Sequence, residues 1–84
     1  MIDIYSKDNC AFCKRAKTLM DNRGIRYNEY TLGVDFESDL VRETFPMMRT
    51  FPIIVKDGVV LGGYDALVER VMSDENFGLF LINE

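Results

Sequence analysis

Cys10 and Cys13, the two cysteines of the chain, lie two residues apart in the stretch 8-DNCAFCKRAK-17. Thiols at this spacing can be metal ligands, a structural disulfide, inert core residues or a reactive redox pair. Zinc sites commonly take four Cys or His ligands, often as two such pairs. One pair and no histidine argue against a self-contained metal site, so no metal ligand is assigned. A metal or cluster shared between two subunits stays open on spacing alone.

Position favours redox chemistry. Residues Ile2 to Tyr5 read as a short strand and Ser6 to Asn9 as a polar turn. Phe12, Cys13, Ala16, Leu19 and Met20 then recur at three- and four-residue spacings, with Lys14, Arg15, Lys17 and Asp21 on the other face, which is a helix pattern. Cys10 falls in its first turn, where unpaired backbone N–H groups and the positive end of the helix dipole favour a thiolate. Lys7 adds a positive charge, although it reads equally as an ordinary solvated lysine. Cys13 is one turn further on, near enough for a disulfide in suitable rotamers. The expectation is an asymmetric pair, in which an exposed Cys10 attacks and a less exposed Cys13 resolves the mixed disulfide. Phe12 either packs under the helix or shields the sulfurs and shapes access to them.

The remaining elements follow from punctuation. Gly24 suits the left-handed cap that ends the first helix. Ile25 to Leu32 alternates as a strand. A second helix is expected from about Phe36 to Phe45, capped by Asp35 and stopped by Pro46. Phe51 to Val55 reads as a buried strand, and Asp57-Gly58 turns it into Val59 to Leu61 as a hairpin. Gly62-Gly63 ends that strand, and Tyr64 to Met72 carries Leu67, Val68, Val71 and Met72 on one helical face. In the tail, Phe77, Leu79, Phe80 and Ile82 should pack, but Gly78 weakens a helix there. The order is β-α-β-α-β-β-α: an α/β sandwich whose four-stranded mixed sheet is flanked by helices. Its first two strands are parallel through a right-handed crossover, and its last two are antiparallel.

Composition excludes other classes. A chain of 84 residues fits one domain. Charged residues make up 29% and are mixed in sign, which opposes disorder. A net charge of −4 is the wrong sign for a nucleic-acid surface. No apolar run reaches 18 residues, so no membrane span is expected. MIDIYSKDN lacks the apolar core of a signal peptide. A cytoplasmic protein is the default reading, and there a cysteine pair is more often catalytic or metal-binding than a structural staple.

Three motifs in order make the chain resemble a small dithiol glutaredoxin of the thioredoxin superfamily, over roughly Met1 to Met72. K-D-N-C-A-F-C matches the family's Lys-x-x-Cys-Pro-Tyr-Cys through Lys7, Cys10 and Cys13, with Ala11 and Phe12 replacing the usual Pro and Tyr. Thr50-Phe51-Pro52 resembles Thr-Val-Pro, whose proline is cis. Gly62-Gly63-Tyr64-Asp65 resembles the Gly-Gly-x-Asp that opens the last helix. The resemblance implies a thioredoxin-like fold with residues 1–84 as one glutaredoxin domain, acting as a monomer. It implies glutathione as co-substrate and no tightly bound cofactor. Phe51 would pair through its backbone with the glutathionyl cysteine beside Pro52. Asp65 would accept from the γ-glutamyl ammonium, and the N–H groups opening the last helix would take its carboxylate. Lys7 and Arg49 are candidates for the glycine carboxylate, Arg49 reading equally as a solvated loop residue. Phe12, Thr50, Gly63 and Tyr64 complete the expected wall, Tyr64 more for packing than for chemistry. Ile53, in place of a polar residue, removes one expected contact.

The function so implied is glutathione-dependent reduction of protein disulfides and of glutathionylated proteins, with ribonucleotide reductase as one partner. Two rivals share the fold. One is a glutaredoxin-like redoxin reduced by thioredoxin reductase, a flavour carried by 22-NRGIRY-27, against which Lys7 and Gly62 to Asp65 weigh. The other is an iron–sulfur carrier bridging two subunits, whose motif usually ends in Ser where this chain has Cys13.

Overall fold

The computed structural model describes residues 1–73. In order it contains β1 (Ile2–Ser6), α1 (Ala11–Asn22), β2 (Asn28–Thr31), α2 (Ser38–Thr44), β3 (Ile53–Lys56), β4 (Val59–Gly62) and α3 (Tyr64–Ser73). The expectation about Phe77, Leu79, Phe80 and Ile82 lies outside the described residues. No helix among those residues is long and apolar enough to cross a membrane.

The strands form one sheet in the order β2-β1-β3-β4. β1 runs parallel to β2, with Tyr5 opposite Tyr30, as a helical crossover requires. β1 is antiparallel to β3, with Tyr5 opposite Ile53, and β3 is antiparallel to β4. Asp57 and Gly58 both have positive φ (52° and 82°), the conformation a tight two-residue hairpin needs.

Strand alternation builds two apolar layers. Ile2, Ile4 and Ile54 pack with Ala16 and Met20 of α1 and Leu67 and Val71 of α3. Ile53 and Val55, one residue out of phase, pack with Val41 of α2, Phe36 and Phe45. On that second face the Tyr5 ring lies 5.2 Å from Tyr30, 5.2 Å from Phe36 and 5.1 Å from Phe45. Phe36 in turn lies 6.1 Å from Phe51. The aromatic layer therefore runs from the sheet to the segment just before β3.

Three expected elements start later than their patterns imply. β2 begins at Asn28 rather than Ile25, because Ile25 is used to end α1. Its N–H donates to the Met20 carbonyl (2.9 Å) and the Gly24 N–H to the Asp21 carbonyl (3.1 Å), with Gly24 at φ 70°. This pair of bonds is a Schellman cap, and the buried Ile25 against Met20 supplies its usual apolar contact. α2 begins at Ser38, with Glu37 as N-cap and no side-chain capping bond, so Asp35 is not its cap. The Asp35 carboxylate instead accepts from the Thr31 N–H at 2.8 Å, closing a loop in which Phe36 bridges Leu32. β3 likewise begins at Ile53, not Phe51.

Ser6 is the buried polar residue at the end of β1. Its hydroxyl donates to Glu29 Oε2 (3.0 Å), and Lys17 Nζ of α1 reaches the same oxygen at 2.7 Å. The Lys17 hydrogen bond holds the Glu29 carboxyl below its usual range, with Ser6 helping and partial burial opposing. A group lowered on folding stabilises the fold above its unfolded value of about 4.3, and that contribution is lost as pH falls through the folded value. Glu29→Gln is therefore expected to flatten the acid limb of the stability curve below about pH 5. Urea midpoints measured from pH 3 to 7 check this, and an unchanged acid limb would count against the clasp.

Candidate active site

Asn9, at φ 57°, turns the chain from β1 into α1. Asparagine tolerates this left-handed conformation better than most residues. Cys10 is then the N-cap, extended at φ −117° and ψ 104°, and its Sγ accepts from the Cys13 N–H at 3.2 Å. A sulfur at an N-cap takes one of the donors that every helix leaves unpaired. Cys10 and Cys13 form a disulfide with Cα atoms 5.2 Å apart. Cys10 is 8% exposed and Cys13 1%. The expected order of exposure is present, but Cys10 is more covered than an exposed thiol. Its sulfur is closed in by the α1 backbone, by Cys13 and by Phe51, whose carbonyl oxygen lies 3.7 Å away.

The Phe51–Pro52 peptide is cis. Beside it lies a groove of about 400 Å³ lined by Phe12, Thr50, Phe51, Pro52, Gly63, Tyr64, Asp65 and Ala66. Seven of the residues singled out from sequence thus meet at one place, drawn from α1, the segment before β3 and the start of α3. Phe12 is half exposed, and its ring stands 5.7 Å from Tyr64, so it walls the groove rather than packing under the helix. Lys7 stands apart from the groove with its ammonium 5.9 Å from the Phe51 ring centroid. Arg49 lies outside the groove's own lining. It lines a neighbouring hollow with Ser38, Val41, Arg42, Pro46 and Met48, which shares Thr50 and Phe51 with the groove.

A model of the glutaredoxin family matches residues 2–61. The chain belongs to the glutaredoxin family. This glutaredoxin is 32% identical over 65 residues to the glutaredoxin-like protein NrdH of Lactococcus lactis, covering 76% of this chain and 88% of that one. It is 32% identical over 68 residues to glutaredoxin 3 of Escherichia coli, covering 79% and 80%. Among solved structures it superposes on the buckwheat glutaredoxin–glutathione complex with a TM-score of 0.75 at 28% identity, over 86% of this chain and 68% of that one. The four-stranded mixed sheet with three helices is the architecture of the family, and the activity is that of a thiol–disulfide oxidoreductase.

Two contributors to this glutaredoxin's site were not singled out from sequence. Arg15 stacks over the Phe12 ring at 5.3 Å; the three-residue helical spacing of Phe12 and Arg15 was the signal for it. Ala66 lines the groove because it lies in the first turn of α3, which begins at Tyr64 directly after Gly63, as the helical pattern from Tyr64 implies. Gly62 makes that start feasible. It has φ +131°, and a Cβ there would stand 2.8 Å from the Ala66 Cβ, whereas one on Gly63 would meet the Pro52 carbonyl oxygen at 3.4 Å. Gly62→Ala is expected to cost roughly 1–3 kcal/mol of stability from backbone strain and overpacking, and Gly63→Ala clearly less. Urea unfolding of the two variants checks the order, and equal costs would contradict it.

Proposed function

We propose that the groove beside Cys10 binds glutathione and that glutathione is the reductant of this enzyme. The observation that carries the reading is the junction at Phe51. Its carbonyl lies 3.7 Å from Cys10 Sγ, and its backbone precedes the β3 ladder, so an extended thiol peptide can pair there as a short added strand. The groove volume suits a tripeptide. Asp65, exposed in the first turn of α3, accepts from an ammonium, while the N–H groups of the same turn take a carboxylate. Lys7 supplies the cation for the glycine carboxylate. Arg49, in the adjoining hollow that shares Thr50 and Phe51 with the groove, is a second candidate for that carboxylate. The likeness to a glutaredoxin–glutathione complex supports the same reading. Residues 1–84 act as one domain, monomeric and cytoplasmic.

In the reduced enzyme the Cys13 N–H favours a thiolate on Cys10 by donating to it. That thiolate attacks the glutathione sulfur of a glutathionylated protein. The bond between the two substrate sulfurs breaks, the protein thiolate leaves and takes a proton, and Cys10 holds glutathione. A second glutathione thiolate attacks that mixed disulfide, releasing oxidised glutathione and restoring Cys10. With a protein disulfide, Cys10 forms a mixed disulfide with one substrate cysteine. Cys13 then displaces it, leaving the Cys10–Cys13 bond, which two glutathione molecules reduce. Ribonucleotide reductase is a fitting protein substrate for this second route.

A coupled assay with glutathione, glutathione reductase and a glutathionylated small thiol tests the proposal. Wild type should turn over and Cys10→Ser should fall to background. Cys13→Ser should keep deglutathionylation and lose reduction of protein disulfides. In the reduced protein, limiting iodoacetamide at neutral pH should label Cys10 well before Cys13, as peptide mass spectrometry would read out.

A second reading has its own support. The NrdH likeness spans 88% of that protein, and redoxins of that kind draw electrons from thioredoxin reductase. Turnover with thioredoxin reductase and NADPH, with none from glutathione, would replace the first reading by this one.

A further inference from the structure

Cys13 must ionise to resolve a mixed disulfide, yet it is 1% exposed, and apolar burial disfavours a thiolate. Its own N–H is spent on Cys10 Sγ at 3.2 Å. Nearby charge then governs how readily it ionises. Of the cations around the site, Lys7 lies over the Phe51 ring, Arg15 lies over the Phe12 ring, and Lys14 is exposed. Of the acids, Asp65 of α3 lies in the groove, and Asp21 bonds the Tyr27 hydroxyl two turns further down α1. Lys17 is placed differently. It follows Cys13 by four residues, so the two are neighbours on α1 with Cβ atoms about 5–6 Å apart. Helical side chains lean toward the N-terminal turn, which points the half-buried Lys17 back toward Cys13. Its ammonium is held at 2.7 Å by Glu29 Oε2 of β2, and the buried Ser6 hydroxyl of β1 bonds the same oxygen at 3.0 Å. Ser6 alternates with Ile2 and Ile4, which pack against Ala16 and Met20. Cys13 is buried on that same side of α1.

We propose that the Lys17–Glu29 pair sets the rate at which Cys13 resolves the mixed disulfide, Lys17 favouring the attacking thiolate and Glu29 holding that favour in check. In this step the Cys13 thiolate, its proton given to water, attacks Cys10 Sγ. The Cys10–Cys13 bond forms, and the bond from Cys10 to the substrate sulfur breaks. The substrate leaves as a thiolate and takes a proton from water. Lys17 alone would speed the attack by stabilising the thiolate, and Glu29 alone would slow it. Paired, the two charges largely cancel. Cys13 is then slow enough for a thiol in solution to compete for the mixed disulfide. The pair thus divides the enzyme between release by Cys13 and release by an external thiol. Both are positioning residues, acting through charge rather than by contact with the sulfurs. The inference rests on Cys10 attacking and Cys13 resolving, but not on which reductant follows.

The test mixes pre-reduced full-length protein, in modest excess, with dithiobis(nitrobenzoate) in a stopped-flow spectrometer. Attack by Cys10 releases the first coloured thiolate, in a phase that quickens with protein concentration. Attack by Cys13 releases the second, in a phase that does not. Lys17→Met should slow the second phase roughly threefold to fivefold, and Glu29→Gln should speed it by a similar factor, as one partly exposed charge can do. The double variant should return close to wild type, and Lys17→Arg should change little. The midpoint of the second phase, followed from about pH 5 to 9, should rise in Lys17→Met and fall in Glu29→Gln. The first phase should keep its rate in all four variants. A merely structural clasp would move both single variants the same way. That result, or unmoved second phases in both, overturns the proposal. Release of one coloured thiolate per reagent molecule by wild type, in place of two, is a separate result: it overturns the resolving role of Cys13, and the proposal with it.

Discussion

In the antiparallel pairing of β1 with β3, Tyr5 stands opposite Ile53, and the site depends on that register. It brings the end of β1 and the start of β3 to the same edge of the sheet. The turn leaving β1 carries Cys10, and the turn entering β3 carries Phe51 and Pro52. A slip of one residue would shift β3 by about 3.3 Å and turn Ile53 and Ile54 to the wrong faces. Both apolar layers resist this, since Ile54 is needed against α1 and α3 while Ile53 is needed against α2. The core thus sets the distance between a sulfur and a carbonyl that are 41 residues apart in sequence.

The second face adds direction. Tyr5, Phe36, Phe45 and Phe51 form a continuous aromatic layer, so Phe51 is buttressed from behind although its backbone lies outside the strand ladder. An aromatic ring carries a large apolar area at low entropic cost. This lets an irregular segment be held without strand hydrogen bonds of its own. The backbone groups beside Cys10 are left for a substrate to use.

Much of this was legible in the sequence. Cys10 and Cys13 at a strand-to-helix junction, Asp57-Gly58 and Gly24 each announce a local conformation, and local conformation is what spacing and residue type report. The misplaced boundaries have a common cause. Ile25 alternates correctly for a strand, and Asp35 is a good capping residue, but each is claimed by a nearer hydrogen bond that no periodicity shows. That Arg49 lines a hollow together with Ser38, Val41 and Arg42 of α2 was invisible for a different reason. It follows from the course of α2 relative to β3, which is tertiary, whereas the motif places Arg49 only one residue before Thr50. The covered state of Cys10 is also tertiary, since Phe51 closes over it from a distant part of the chain.

The fastenings of α1 limit how the enzyme can respond to its own chemistry. The helix is tied at its C-terminal end by the Schellman bonds to Gly24 and Ile25, and in its middle by Lys17 to Glu29. Its inner face is sealed by Ala16 and Met20. A helix so held is a firm base for Cys13, while Cys10 stands where that base meets the polar turn from Lys7 to Asn9, with Asn9 in the left-handed region. The two sulfurs thus belong to differently fastened parts of the chain, one to the body of the helix and the other to the turn that enters it.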